Sequence, residues 1–341
     1  MDLLEGVLGL FRKLQALLFS GGSTFSLTSL LCALAVAVVF LVVKRRQKSR
    51  RIHLRTMLRA LFPKRILSSK SHAADVGYFF LGIFVFGLII GGAVISYQFI
   101  SNGVIGLLVA TFGAVQPTGL PEIVSRSAIT LMLFLAYELA YWTDHYLSHR
   151  VPILWEFHKV HHTASVLTPL TVFRVHPVDS LVFANIVAIV TGTANGAMNY
   201  LFGTTTYQYA ITDANILLVL FVHAYIHLQH THLWIPFRGV LGRILQSPAH
   251  HQIHHSNNPA HFNKNLGSCL AIWDWLFGTL HIPRKEPEKL SFGVEQNDRD
   301  IHNLAHSLVN PVFRAASHLT HLAPASNSPV ATAVRRDAPT S

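Results

Sequence analysis

The chain of 341 residues is 51% hydrophobic and only 13% charged, with a mean hydropathy of +0.39 and a formal net charge of +11. That much charge cannot cover a water-soluble domain of this length, and several runs approach the roughly 20 apolar residues that cross a bilayer. The sequence therefore reads as an all-α integral membrane protein. Its basic residues gather beside a candidate span, which excludes a nucleic-acid partner in favour of a cytoplasmic face toward anionic lipid. Two cysteines, Cys32 and Cys269, give neither a disulfide framework nor a thiolate metal site.

In chain order, LLEGVLGLFRKLQALLF opens residues 1–26 as a weakly amphipathic surface segment. An apolar run, Leu27 to Val43, is followed at once by KRRQKSRR, the reverse of a cleavable signal peptide. Ten Lys or Arg and no acid lie between Lys44 and Arg65, which predicts a cytoplasmic loop. A second span is expected over Tyr78 to Ile100, with Gly82, Gly87, Gly91 and Gly92 as helix-packing positions. Residues 101–122, with Pro117 and Pro121, are expected to form an outer or partly membrane-embedded loop, and Ser127 to Leu147 to return inward. After a cytoplasmic segment at 148–180, Leu181 to Phe202 and Tyr209 to Gln229 read as a hairpin of spans around GTTTYQ. Residues 231–310 then stay on the cytoplasmic side, and the Ala, Ser and Pro-rich tail beyond Ala315 is expected to be disordered.

Fourteen of the 22 histidines fall between 145 and 255. His145 and His149 form H-x-x-x-H; His158, His161 and His162 form H-x-x-H-H, and His251, His254 and His255 repeat it. On a helix these spacings aim imidazoles at one side. His223, His227 and His230 recur on one helix face, so at least one is expected to join. Imidazole-rich sets suit zinc, copper, iron or nickel, and this many histidines exceed what one tetrahedral zinc takes, so two ions are the economical reading. Histidines outside these clusters, His281, His302, His306 and His318 among them, read as surface residues. Apolar runs and Lys/Arg alone place every cluster on one side of the membrane.

Ligating imidazoles usually pass their second N–H to an acceptor. Glu138, about 10 Å deeper than His145 on the same helix, is a candidate because a carboxylate inside a span is expensive. Asp144, Glu156, Asp179 and Asp274 are further candidates.

The combination DHYLSH, LWEFHKVHH, FRVHPVD, SPAHHQIHH, NKNLG and IWDWLFGT resembles the fatty acid hydroxylase superfamily over about residues 70 to 285. The resemblance implies a helical bundle whose histidine boxes, His145, His149, His158, His161, His162, His251, His254 and His255, hold two iron ions at a cytoplasmic cap. It further implies a membrane oxygenase that uses O₂ and two electrons to hydroxylate or desaturate an unactivated C–H position of a lipid. His176 lies in a shared element and is expected to support the ligands, with Glu138 and Asp144. Leu266 and Trp275 stand where the family commonly has Tyr and Arg. With no dinucleotide fingerprint present, electrons are expected from a separate donor. The domain reading is 1–70 for the surface segment, first span and basic loop, 71–290 for the catalytic domain with about four spans, and 291–341 for the tail. The rival readings are a metal transporter or metal-binding membrane protein, a haem electron-transfer protein, and a catalytically inactive homologue used as a scaffold, which the intact boxes count against.

Overall fold

The computed structural model describes residues 3–23, 25–86, 93–294 and 301–322. Helices dominate: α1 (Leu3–Phe19), α2 (Leu27–Gln47), α3 (Leu54–Leu61), α4 (Lys64–Leu67), α5 (Lys70–Leu81), α6 (Tyr97–Phe112), α7 (Glu122–Arg150), α8 (Pro152–His162) and α9 (Pro177–Phe202). A short hairpin, β1 (Ala210–Ile211) with β2 (Ala214–Asn215), leads to α10 (Ile216–Gln229). Four more follow: α11 (Gly239–Ile244), α12 (Pro248–His254), α13 (Ile272–Leu276) and α14 (Leu304–Leu322).

Among the described residues, α2, α7 and α9 are long and apolar enough to cross a membrane. Helix α7, with 29 residues, is about 43 Å long. It carries its histidines in its last turns, beyond the apolar length. Serine caps start α2 and α5, where the Ser26 and Ser69 hydroxyls accept from the amides of Ser29 and His72.

Several expected boundaries move. The outer loop at 101–122 contains a helix, because α6 runs from Tyr97 to Phe112 and packs on α9. The contact uses Gly192 and Gly196, a G-x-x-x-G pair: a Cβ on Gly196 would sit 2.6 Å from the Ser101 carbonyl oxygen. Asn195, between them, donates to Ser101 Oγ at 2.8 Å. Of the glycines expected to pack, Gly82 opens a π-helical turn over Gly82–Phe86 and meets no neighbour, while Gly87, Gly91 and Gly92 lie outside the described residues. The span expected from Tyr209 begins as the hairpin, and its helix α10 is shorter than the roughly 20 residues that cross a bilayer. The expected disorder after Ala315 is overturned as far as Leu322, since α14 continues to that residue and packs on α8; residues 323–341 lie outside the described residues.

A buried polar knot ties α5 to the segment that follows α8. Arg174 donates through Nε to Asp75 Oδ1 at 2.7 Å, and the hydroxyls of Thr168 and Thr171 donate to Asp75 Oδ2. With Arg174 and Asp75 almost fully buried, removing one partner would strand a charge.

Candidate metal centre

The histidine clusters converge into two groups. His145 and His149 from the end of α7, His158 and His162 from α8, and His254 from α12 form one; His161, His230, His251 and His255 form the other. In each, one ligand atom per residue lies within 4.8 Å of all the others. The H-x-x-H-H pattern explains the division. On α8, His158 and His162 share a face at i, i+4 while His161 points to the side; on α12 and its cap, His251 and His255 do the same while His254 turns to the first group.

The donor chemistry fits metal ions. In the first group the Nε2 atoms of His145, His158, His162 and His254, all buried, have no hydrogen-bond partner, and neither does that of half-buried His149. Leaving such atoms unpaired is costly. In the second group the Nε2 atoms face one another: His230 is 2.8 Å from His251 and 3.2 Å from both His161 and His255. Nitrogens bound at about 2.1 Å in a tetrahedron lie about 3.4 Å apart.

The opposite edges of three rings are held by acceptors, which puts the proton on Nδ1 and frees Nε2. His145 Nδ1 donates to the Leu266 carbonyl at 2.7 Å, His254 Nδ1 to the Lys264 carbonyl at 2.9 Å, and His158 Nδ1 to Asp179 Oδ2 at 3.1 Å. Burial, reinforced by neighbouring imidazoles, holds His161, His162, His251 and His255 well below the usual histidine range. Burial likewise pushes His230 and His254 down to about 3. These rings are neutral at pH 7, as metal ligation requires.

The NKNLG and WDWLFGT elements build the support behind His145. Asp274 accepts from the amides of Leu266 and Gly267, both at 2.8 Å, and from the Trp142 indole at 3.3 Å. A Cβ on Gly267 would lie 2.2 Å from the Leu270 carbonyl oxygen, so glycine is required there. Glu138 closes the loop from the other side: its Oε2 accepts from the amides of Cys269 and Leu270, each at 2.8 Å. Glu138 thus reaches His145 only through the loop that offers the Leu266 carbonyl. Leu266 itself is fully buried and Trp275 is exposed.

Three expected participants lie elsewhere. His223 and His227 face α2, where their Nε2 atoms meet Thr28 Oγ1 at 3.2 Å and Ser29 Oγ at 3.0 Å. Only His230 joins the second group, because a π turn over Val222–Ile226 breaks the helical phase and His230 itself leaves the helix. His176 caps α9: its Nδ1 accepts from the Val178 amide at 3.1 Å and its Nε2 donates to the Leu308 carbonyl at 2.9 Å. Both its nitrogens are used, and neither reaches a clustered histidine. Asp144 is buried, and its Oδ1 has no hydrogen-bond partner.

A cavity of about 600 Å³ opens on His149, His162, His254 and His255. Trp155, Pro259, Phe262 and Val294 give it apolar wall, and Ser256, Asn257 and Asn263 give it polar wall.

Residues 130–279 match the fatty acid hydroxylase family. An alkylglycerol monooxygenase from Danio rerio is 29% identical over 166 residues, which are 48% of this chain and 32% of that protein. An ornithine lipid hydroxylase from Rhizobium tropici is 32% identical over 49% of this chain and 45% of its own length, and human cholesterol 25-hydroxylase is 27% identical over 49% and 56%. The chain thus spans between about a third and just over half of the length of these curated relatives. No solved structure matches. The matched segment contains every histidine of both groups, so the likeness to the fatty acid hydroxylase family falls on the metal centre itself.

Proposed function

We propose that this protein is a membrane-bound non-haem di-iron oxygenase that hydroxylates an unactivated C–H position of a lipid, with O₂ and two electrons as cosubstrates. The observation that carries the reading is the pair of all-imidazole groups, one of which forms a wall of the cavity. His145, His149, His158, His162 and His254 would hold one ion, and His161, His230, His251 and His255 the other. Iron bound there would supply reductive O₂ activation and attack on the C–H bond. Asp179, Leu266 and Lys264 fix ring orientation through the Nδ1 protons, and Glu138 and Asp274 hold the Leu266 loop. The cavity orients the chain to be oxidised: Trp155, Phe262 and Val294 exclude water from its apolar part, and Ser256, Asn257 and Asn263 can bind a polar head.

Hydroxylation is favoured over desaturation because the relatives bear the names of hydroxylases and a monooxygenase. A transporter would be expected to place its ligands near the bilayer midplane, whereas these follow the ends of α7 and α10. The cytoplasmic assignment of the site rests on the basic segment after α2. One of its helices, α3, offers the Ala60 carbonyl to His232 Nε2 at 2.6 Å, just beyond His230. A separate protein would deliver the electrons.

Lipid profiling of cells with and without this chain under ¹⁸O₂ tests the reading. One lipid class gaining a single ¹⁸O atom, and only with the intact chain, is expected. Unchanged lipids in a cell that supplies iron and electrons would contradict it.

A further inference from the structure

A third group of ligand-bearing side chains lies outside both clusters: His261, His281 and Glu288, whose candidate ligand atoms are within 4.8 Å of one another. They come from separate stretches, His261 from the turn after the His254–His255 box and the other two from the strap that returns across it. His261 is 5% exposed, and its Nδ1 is buried without a partner. Its Nε2 is 3.8 Å from Glu288 Oε2, too far for a hydrogen bond. Glu288 Oε1 is also buried and unpartnered. The rings of His261 and His281 stand 5.2 Å apart at 66°, converging without stacking.

Their backbones are already held. Asn265, in a left-handed conformation at φ 56°, accepts from the His281 amide at 2.7 Å and donates to the His281 carbonyl at 2.9 Å. The Asn257 amide donates to the Ser291 carbonyl at 3.0 Å, and Ser256 pairs with Phe292. The strap is therefore docked at both ends, and between them Glu288 Oε1 is buried without a partner.

We propose that His261, His281 and Glu288 bind a divalent transition ion of the zinc type, a structural staple separate from the paired histidine groups. Two imidazoles and one carboxylate suit zinc, with water in the fourth position. Contraction of the three side chains by about 1 Å would bring the donors to bonding distance. The ion would lock Pro259 and Phe262, which flank His261 and line the cavity, against the strap that carries Gly293 and Val294.

The test is metal analysis of the full chain in detergent, loaded with Zn²⁺ or Co²⁺, for the wild type, His281→Ala and Glu288→Gln. The wild type should hold about one more ion per chain than either variant, and both variants should lose one visible cobalt band. Hydrogen exchange over 281–292 should rise in both. A second set replaces His162 and His255 by Ala, which disables the paired groups: the cobalt band assigned to the staple should persist there and vanish when His281→Ala is added. Equal metal content in wild type and both variants overturns the staple and leaves the paired groups standing. A cobalt signal lost with His162 and His255 yet indifferent to His281 overturns it as well.

Discussion

At the residue scale, the ligand boxes are legible because metal chemistry imposes spacing, while the supporting residues are legible only as types. Asp179 and Asp274 are visible as acids near the boxes, but their tasks differ. Asp179 accepts a hydrogen bond from His158 Nδ1 directly, whereas Asp274 organises amides one step away from His145. Asp179→Ala should lower metal affinity about 10- to 100-fold, read by competition with a chelator, and unchanged affinity would remove Asp179 from the site. Glu138 behaves differently because both of its amide donors use one oxygen. Glu138→Gln can keep a carbonyl there and should retain most metal, while Glu138→Leu strands two buried amides and should cost about 2–6 kcal/mol, read by thermal unfolding. His223, His227 and His176 show the limit of periodicity: a π turn and a helix cap turned them to other partners, and nothing in the residue spacing announces either.

At the scale of elements, apolar runs located α2, α7 and α9, because burial in lipid requires an uninterrupted stretch. Helix α6 was hidden by the prolines that follow it, although its own residues from Tyr97 to Phe112 contain none. The close packing falls on Gly192 and Gly196 and not on Gly82, since only the former face another helix backbone. Gly196→Val should destabilise the α6–α9 contact by about 1–3 kcal/mol, and Gly82→Ala should change stability by less than about 0.5 kcal/mol. Thermal unfolding in detergent compares them, and equal effects would dissolve the distinction.

For the whole molecule, the proposed topology puts the basic segment and the histidine groups on one side of the membrane and the turn at 203–208 on the other. Cysteine labelling at Ser49, Asn257 and Thr205, all exposed, is expected to reach Thr205→Cys from outside intact cells and neither of the others; Ser256 is too buried to serve. Labelling of Asn257→Cys from outside would place the site on the wrong side. Acid sensitivity follows from the buried histidines. His230, His250 and His254 are each pushed by burial from 6.5 to about 3, so below about 6.5 the unfolded chain gains protons that the folded chain does not. Stability of the metal-free protein should be full above about pH 6.5 and fall as pH drops toward about 3, seen as a lower unfolding temperature at pH 5 than at pH 7.

The central claim is that two metal ions sit in the paired histidine groups, and the most direct measurement is iron per chain in purified, iron-loaded protein. Two bound iron ions are expected in these groups, with His149→Ala or His162→Ala removing iron from the first and His230→Ala or His251→Ala from the second. One ion or none in fully loaded protein, or iron content indifferent to all four substitutions, would contradict it.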